Sequence, residues 1–141
     1  MTTLEELKIV LENGREEEQM ELLSHLQDVF ESYKEDIQNF EEIMDTLIKY
    51  AIKKKEGEVT EEILYTITTA ETYQNVDMID FSAFAENINK VSDNVLLKYI
   101  EILSYTYDLR YIPYILKFRN SRDEIIGDAV EEALLELRYE G

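Results

Sequence analysis

Cysteine and tryptophan are absent from this chain of 141 residues, proline occurs once, glycine four times and histidine once. Without cysteine there is neither a disulfide framework nor a thiolate zinc site, which fits a reducing compartment. So little proline and glycine leaves scant material for the tight turns of a β protein and favours long helices. No apolar run approaches the roughly 20 residues that span a bilayer. The N-terminus, MTTLEELKIVLENG, has acidic residues and no apolar core of a secretory signal. The expectation is a cytoplasmic protein with no membrane segment.

What the chain does have is negative charge and apolar residues. Asp and Glu number 32 against 14 Lys and Arg, a formal charge of −18, while 45% of residues are hydrophobic. That hydrophobic share supports a real core rather than a disordered acidic tail. Both halves are acidic, so no separate tail stands out. Such a surface disfavours nucleic acid and anionic membranes and favours a basic partner, or serves solubility alone.

Apolar residues recur at helical spacing along the whole chain. The first helix is expected from Thr3 to Glu12, capped by Thr2 or Thr3 and stopped at Asn13-Gly14. The second runs from Glu16 to Tyr33, with Glu16, Glu17 and Glu18 complementing the dipole of its first turn. The third runs from Asp36 to Lys55, with Lys53, Lys54 and Lys55 in its last turn and Gly57 as its stop. The fourth starts with Thr60 as N-cap; its run Thr66, Ile67, Thr68, Thr69 is β-branched and would suit a strand, but strong helical segments flank it. Asp77 or Asp80 opens the fifth, containing Phe81, Phe84 and Ile88. The sixth runs from the Ser92 region to near Tyr107, with Val95, Leu96, Tyr99, Ile102 and Leu103 inward. The seventh spans Leu109 to Phe118 with Pro113 near its start. The eighth spans Asp123 to Arg138, with Ile125, Ile126, Ala129, Ala133, Leu134 and Leu137 inward.

Three segments superpose. Val59-Thr60-Glu61-Glu62-Ile63-Leu64 corresponds to Val91-Ser92-Asp93-Asn94-Val95-Leu96, and that to Ser121-Arg122-Asp123-Glu124-Ile125-Ile126. Each is a polar cap followed by two apolar residues, and each follows a helix. The stretch from Leu103 to Leu137, LSYTYDLRYIPYILKFRNSRDEIIGDAVEEALLEL, resembles one unit of the HEAT-like repeat family, although Gly127 stands where that family often has arginine. The resemblance implies an all-α fold: a short right-handed α-solenoid of HEAT-like helix hairpins with about eight helices in one domain. Residues 1–35 would then be capping helices and residues 36–141 about three helix pairs. A compact helical bundle is the alternative.

Nothing in the sequence assembles a catalytic or metal site. His25 sits inside a helix, and no G-x-S-x-G elbow exists to host a serine triad. Glu21 stands four positions before His25, not the three of a di-iron bundle motif. Asp77-Met78-Ile79-Asp80 lacks calcium-loop spacing. The chain is therefore read as a non-enzyme without cofactor or metal. Ten tyrosines stand out: Tyr99 falls on an inward stripe, and Tyr105, Tyr107, Tyr111 and Tyr114 cluster where they would either pack between repeats or anchor an interface.

The positions left outward by this spacing are Glu62, Thr66, Thr69 and Tyr73 on the fourth helix, Lys98, Glu101 and Tyr105 on the sixth, and Asp128, Glu131, Glu132 and Leu135 on the eighth. The repeat offsets place Thr69, Glu101 and Glu131 in register, and likewise Tyr73, Tyr105 and Leu135. A row of carboxylates beside a row of apolar side chains is a candidate strip for binding protein; a solvated face is the plainer reading. The segment from Ile63 to Ile115 is similar to the immunity protein 30 family of bacterial polymorphic toxin systems. That resemblance implies an immunity protein that neutralises a cognate toxin, often a nuclease, by covering a basic surface. A general HEAT-like adaptor for an intracellular complex is the alternative.

Overall fold

Polar caps and glycines place the helix ends. The computed structural model describes residues 1–33 and 36–140, and among them every regular element is helical. None of those helices is long and apolar enough to cross a membrane. The chain divides into two compact units, residues 1–80 and 81–141. The boundary expected at residue 35 lies outside the described residues.

In the first unit, α1 (Thr3–Asn13) starts with the Thr2 hydroxyl accepting from the Glu5 N–H at 3.1 Å. Its end depends on Gly14, whose N–H donates to the Val10 carbonyl at 2.8 Å. A Cβ there would lie 2.6 Å from that same oxygen, so the close approach requires glycine. Helix α2 (Glu16–Ser32) opens with the Glu18 carboxylate reaching back to the backbone N–H of Arg15 at 3.2 Å and its Nε at 3.0 Å. This gives one of the three first-turn glutamates a specific partner.

Helix α3 (Phe40–Lys54) starts four residues later than Asp36, because Asn39 takes the left-handed conformation, φ 60°, and interrupts the helical run. Helix α4 (Glu58–Tyr73) follows Gly57, whose φ of 108° suits glycine alone. Thr60 is therefore not its N-cap. It lies in the first turn, buried, with its hydroxyl donating to the Glu56 carbonyl at 3.1 Å.

Helix α1 packs on α2 and α3, and α4 packs on both α2 and α3. First helices thus lie beside first helices and second beside second, the order of two stacked hairpins. The core runs through Leu7, Leu23, Leu26, Met44, Leu47 and Ile63, all fully buried, each worth about 1.5–3 kcal/mol over an exposed position. Phe30 and Phe40 meet edge to face, centroids 5.6 Å apart.

The second unit holds α5 (Ser82–Asn87), which continues into a 3₁₀ turn over Ile88–Lys90, then α6 (Asp93–Ser104), α7 (Ile112–Leu116) and α8 (Glu124–Glu136). Helix α6 packs on α5 and α8, and α7 packs on α8. The expected seventh helix is shorter than its pattern. The Asp108 carboxylate accepts from the Arg110 N–H at 3.0 Å and sets a 3₁₀ turn over Leu109–Tyr111 before α7 begins, with Pro113 in its first turn. Asp123 caps α8, accepting from the Ile125 N–H at 2.9 Å. Ile126 enters the core, whereas Ile125, expected inward, is 65% exposed in the first turn.

Candidate functional site

The strip expected on α4 turns inward. Thr69 is only 6% exposed and Thr66 is fully buried. Helix α4 is covered on two sides, by α2 and α3, and the α2 side takes the row read as outward. Gln27 of α2 donates to the Glu62 carboxylate at 2.7 Å and to the Thr66 hydroxyl at 3.0 Å. At the end of the helix, Gln74 Nε2 donates to the carbonyls of Phe30 at 2.7 Å and Tyr33 at 2.5 Å. The buried threonines are tolerated because each hydroxyl donates to the carbonyl four residues back: Thr66 to Glu62 at 2.8 Å and Thr69 to Tyr65 at 3.0 Å. Of the expected α4 strip only Tyr73 is exposed, with Glu62 partly so; Tyr65, not singled out by the sequence, is exposed on the solvent side.

The corresponding strip in the second unit does face outward. On α6, Lys98 and Glu101 are half-buried and Tyr105 is exposed. On α8, which packs beside it, Asp128, Glu131, Glu132 and Leu135 are all exposed. Glu131 is engaged by Arg119 at 3.0 Å, a solvent-exposed pair of small energetic weight. Among the described residues no ion pair engages Asp128 or Glu132. The face is a band of carboxylates around a leucine that is 78% exposed.

That leucine also borders a cavity of about 680 Å³, lined by Tyr107, Leu109, Leu135, Glu136, Leu137 and Arg138. Tyr107 is 63% exposed and Leu109 62%. The Tyr107 hydroxyl donates to Glu136 Oε1 at 2.5 Å, joining the loop after α6 to the end of α8. The sequence singles out Tyr107 in its tyrosine cluster but not Leu109 or the cavity, because these two residues lie in a loop and a 3₁₀ turn, where helical spacing assigns no face.

The remaining tyrosines divide between core and surface. Tyr99 is fully buried, edge to face with Phe84 at 4.8 Å, and Tyr111 is buried. The Tyr99 hydroxyl is buried without a hydrogen-bond partner, and burial pushes its pKa up to about 12. The Asp108 carboxyl is held below its ordinary value, first by its hydrogen bond to the Arg110 side chain. Among the described residues no group of three His, Asp or Glu side chains is placed to hold a metal ion. No protein-family model matches the chain, and neither a curated protein nor a solved structure is significantly similar to it.

Proposed function

We propose that this protein is a binding module that neutralises a basic protein by covering its functional surface. The observation that carries the reading is the outward face of α8, where Asp128, Glu131 and Glu132 surround an exposed Leu135, with Glu101 and Tyr105 on the adjoining α6. Carboxylates at this density draw a cationic partner into register and raise its rate of encounter. The apolar side chains among them supply the area that holds it. In unit 1 only Tyr73 of the α4 strip is exposed for such a role; buried Thr69 has no part in it.

The sequence resemblance narrows the partner to a cognate bacterial toxin domain with a basic active surface, such as a nuclease, blocked by steric and electrostatic occlusion. The same acidity speaks against nucleic acid or an anionic membrane as the ligand. The test is co-expression with the toxin domain encoded beside this chain. Rescue of growth is expected, together with a complex weakened at least tenfold by the double change Asp128→Lys and Glu132→Lys. Tight binding to a different, non-toxic protein without rescue would make the chain an adaptor instead. Rescue that survives the charge reversal unchanged would remove the α8 face from the mechanism.

A further inference from the structure

We propose that the cavity where α6 and α8 end seats one large uncharged apolar side chain of the basic partner, with Lys or Arg residues of the same segment lying along Glu132 and Asp128. The inference rests on the reading that the partner is a basic protein, and deepens it by naming the anchor and its spacing.

The wall of the cavity is mixed, about half polar, and its apolar part comes from the side chains of Tyr107, Leu109, Leu135 and Leu137. Leu135 is 78% exposed, Tyr107 63% and Leu109 62%, three large side chains gathered around one volume of about 680 Å³. Scattered exposed leucines need no explanation, but a contiguous group lining a concavity marks an interaction site. Two of its lining residues also hold strained backbone: Tyr107 has φ 57° and Arg138 φ 56°, the left-handed region where glycine is the comfortable residue after a helix. Side chains are kept there at a conformational cost.

The charges around the cavity decide what enters and what stays outside. Its own carboxylate, Glu136, already accepts the Tyr107 hydroxyl, and Arg138 lies beside it. The seat therefore suits an uncharged side chain rather than a lysine or arginine. Going back along α8 from Leu135, and setting aside Glu131, which Arg119 engages, the next exposed carboxylates are Glu132 and Asp128, about 4.5 Å and about 10.5 Å away along the axis at 1.5 Å per residue. A partner helix with Leu or Phe at one position and Lys or Arg three and seven positions away matches that spacing. A second copy of this chain, itself carrying −18, is the wrong charge for the same face.

The test uses the full chain, labelled with nitrogen-15, and a capped alanine-based helical peptide. The peptide carries Leu at its centre and Lys three and seven positions to either side. Saturable amide shifts are expected over residues 107–109 and 132–138. Replacing the peptide's Leu by Ala is expected to weaken binding at least tenfold, as is Leu135→Ser in the protein, a surface change that leaves the fold intact. Equal affinity for the Leu and Ala peptides, shifts centred elsewhere, or the absence of saturable binding would overturn the proposal. The charge-reversed protein, Asp128→Lys with Glu132→Lys, separates the two readings. If it loses the peptide while Leu135→Ser does not, the cavity fails and the basic-partner reading stands; if neither matters, both fail. Sedimentation is expected to show a monomer. A dimer that Leu135→Ser dissociates would give the cavity to a second copy and overturn the proposal.

Discussion

The hydroxyl of Tyr50 donates to the Glu12 carboxylate at 2.6 Å, tying α3 to the end of α1. Lys53 reaches the same carboxylate at 3.2 Å. Lys49, Lys53 and Lys54 gather around the Tyr50 ring at 5.5, 5.5 and 6.0 Å. Of the lysines that the sequence assigns to the helix dipole, Lys53 thus also serves a contact between helices.

This contact makes stability depend on acid. The Glu12 carboxyl is held below its ordinary 4.5, first by the Tyr50 hydroxyl and then by Lys53. A depressed carboxylate contributes stability that is fully present above the unfolded value and lost as pH falls through the folded one. Tyr50→Phe should therefore lower the melting temperature at pH 7, and its gap from the parent should close below about pH 4. A gap that is constant from pH 7 to pH 3 would assign the loss to packing instead.

Tyr99 offers the opposite sign. Its pKa of about 12 lies above the ordinary 10 because burial opposes the phenolate. The stability it gives by staying neutral is present below pH 10 and is lost as pH rises toward 12. Its hydroxyl has no partner, so Tyr99→Phe should leave stability at pH 7 unchanged or raise it by up to about 1–2 kcal/mol in urea denaturation. A clear destabilisation would mean that the hydroxyl is hydrogen-bonded in solution.

Gly14→Ala should destabilise by roughly 1–3 kcal/mol, because the added Cβ would lie 2.6 Å from the Val10 carbonyl and the end of α1 would have to shift. Gly57→Ala meets no neighbour, yet it forces alanine to a φ of 108° and should cost about 1 kcal/mol or more. Thermal melts of the two variants separate the steric cause from the dihedral one.

The buried and exposed rows should respond differently to charge. Thr69→Lys places an ammonium where the side chain is enclosed between helices, and should cost at least about 3 kcal/mol. Asp128→Lys on the open face of α8 should stay within about 0.5 kcal/mol of the parent. Equal effects in urea denaturation would contradict the placement of the two faces.

Those rows also mark how far the sequence could be read. The all-helical class, the ends of α1, α2 and α8 and the start of α6 were legible because apolar spacing and caps agree there: Thr2, Asn13-Gly14, Ser92 and Asp123 punctuate strong stripes, whereas α6 stops at Ser104, short of Tyr107. The outward face of α8 was legible for the same reason, since Asp128, Glu131, Glu132 and Leu135 oppose a single buried stripe. The outward face of α4 was not. A wheel drawn for one buried side treats Thr66 and Thr69 as solvent-facing, but α4 is covered by two neighbours, and nothing in its residues says so. The starts of α3 and α7 were missed because a left-handed Asn39 and the Asp108 cap are single-residue backbone events, invisible to a periodicity.

All five threonines of α4, at positions 60, 66, 68, 69 and 72, direct their hydroxyls to the carbonyl four residues earlier. Each finds its acceptor four residues back along the chain, within α4 or, for Thr60, in the turn just before it, so the hydroxyl proton needs no partner from a neighbouring helix. At buried positions 60 and 69 the hydroxyl therefore enters an enclosed site with its donor already satisfied. Hydropathy alone thus understates how enclosed this helix is, because polar side chains that carry their own acceptor can sit where its neighbours cover it.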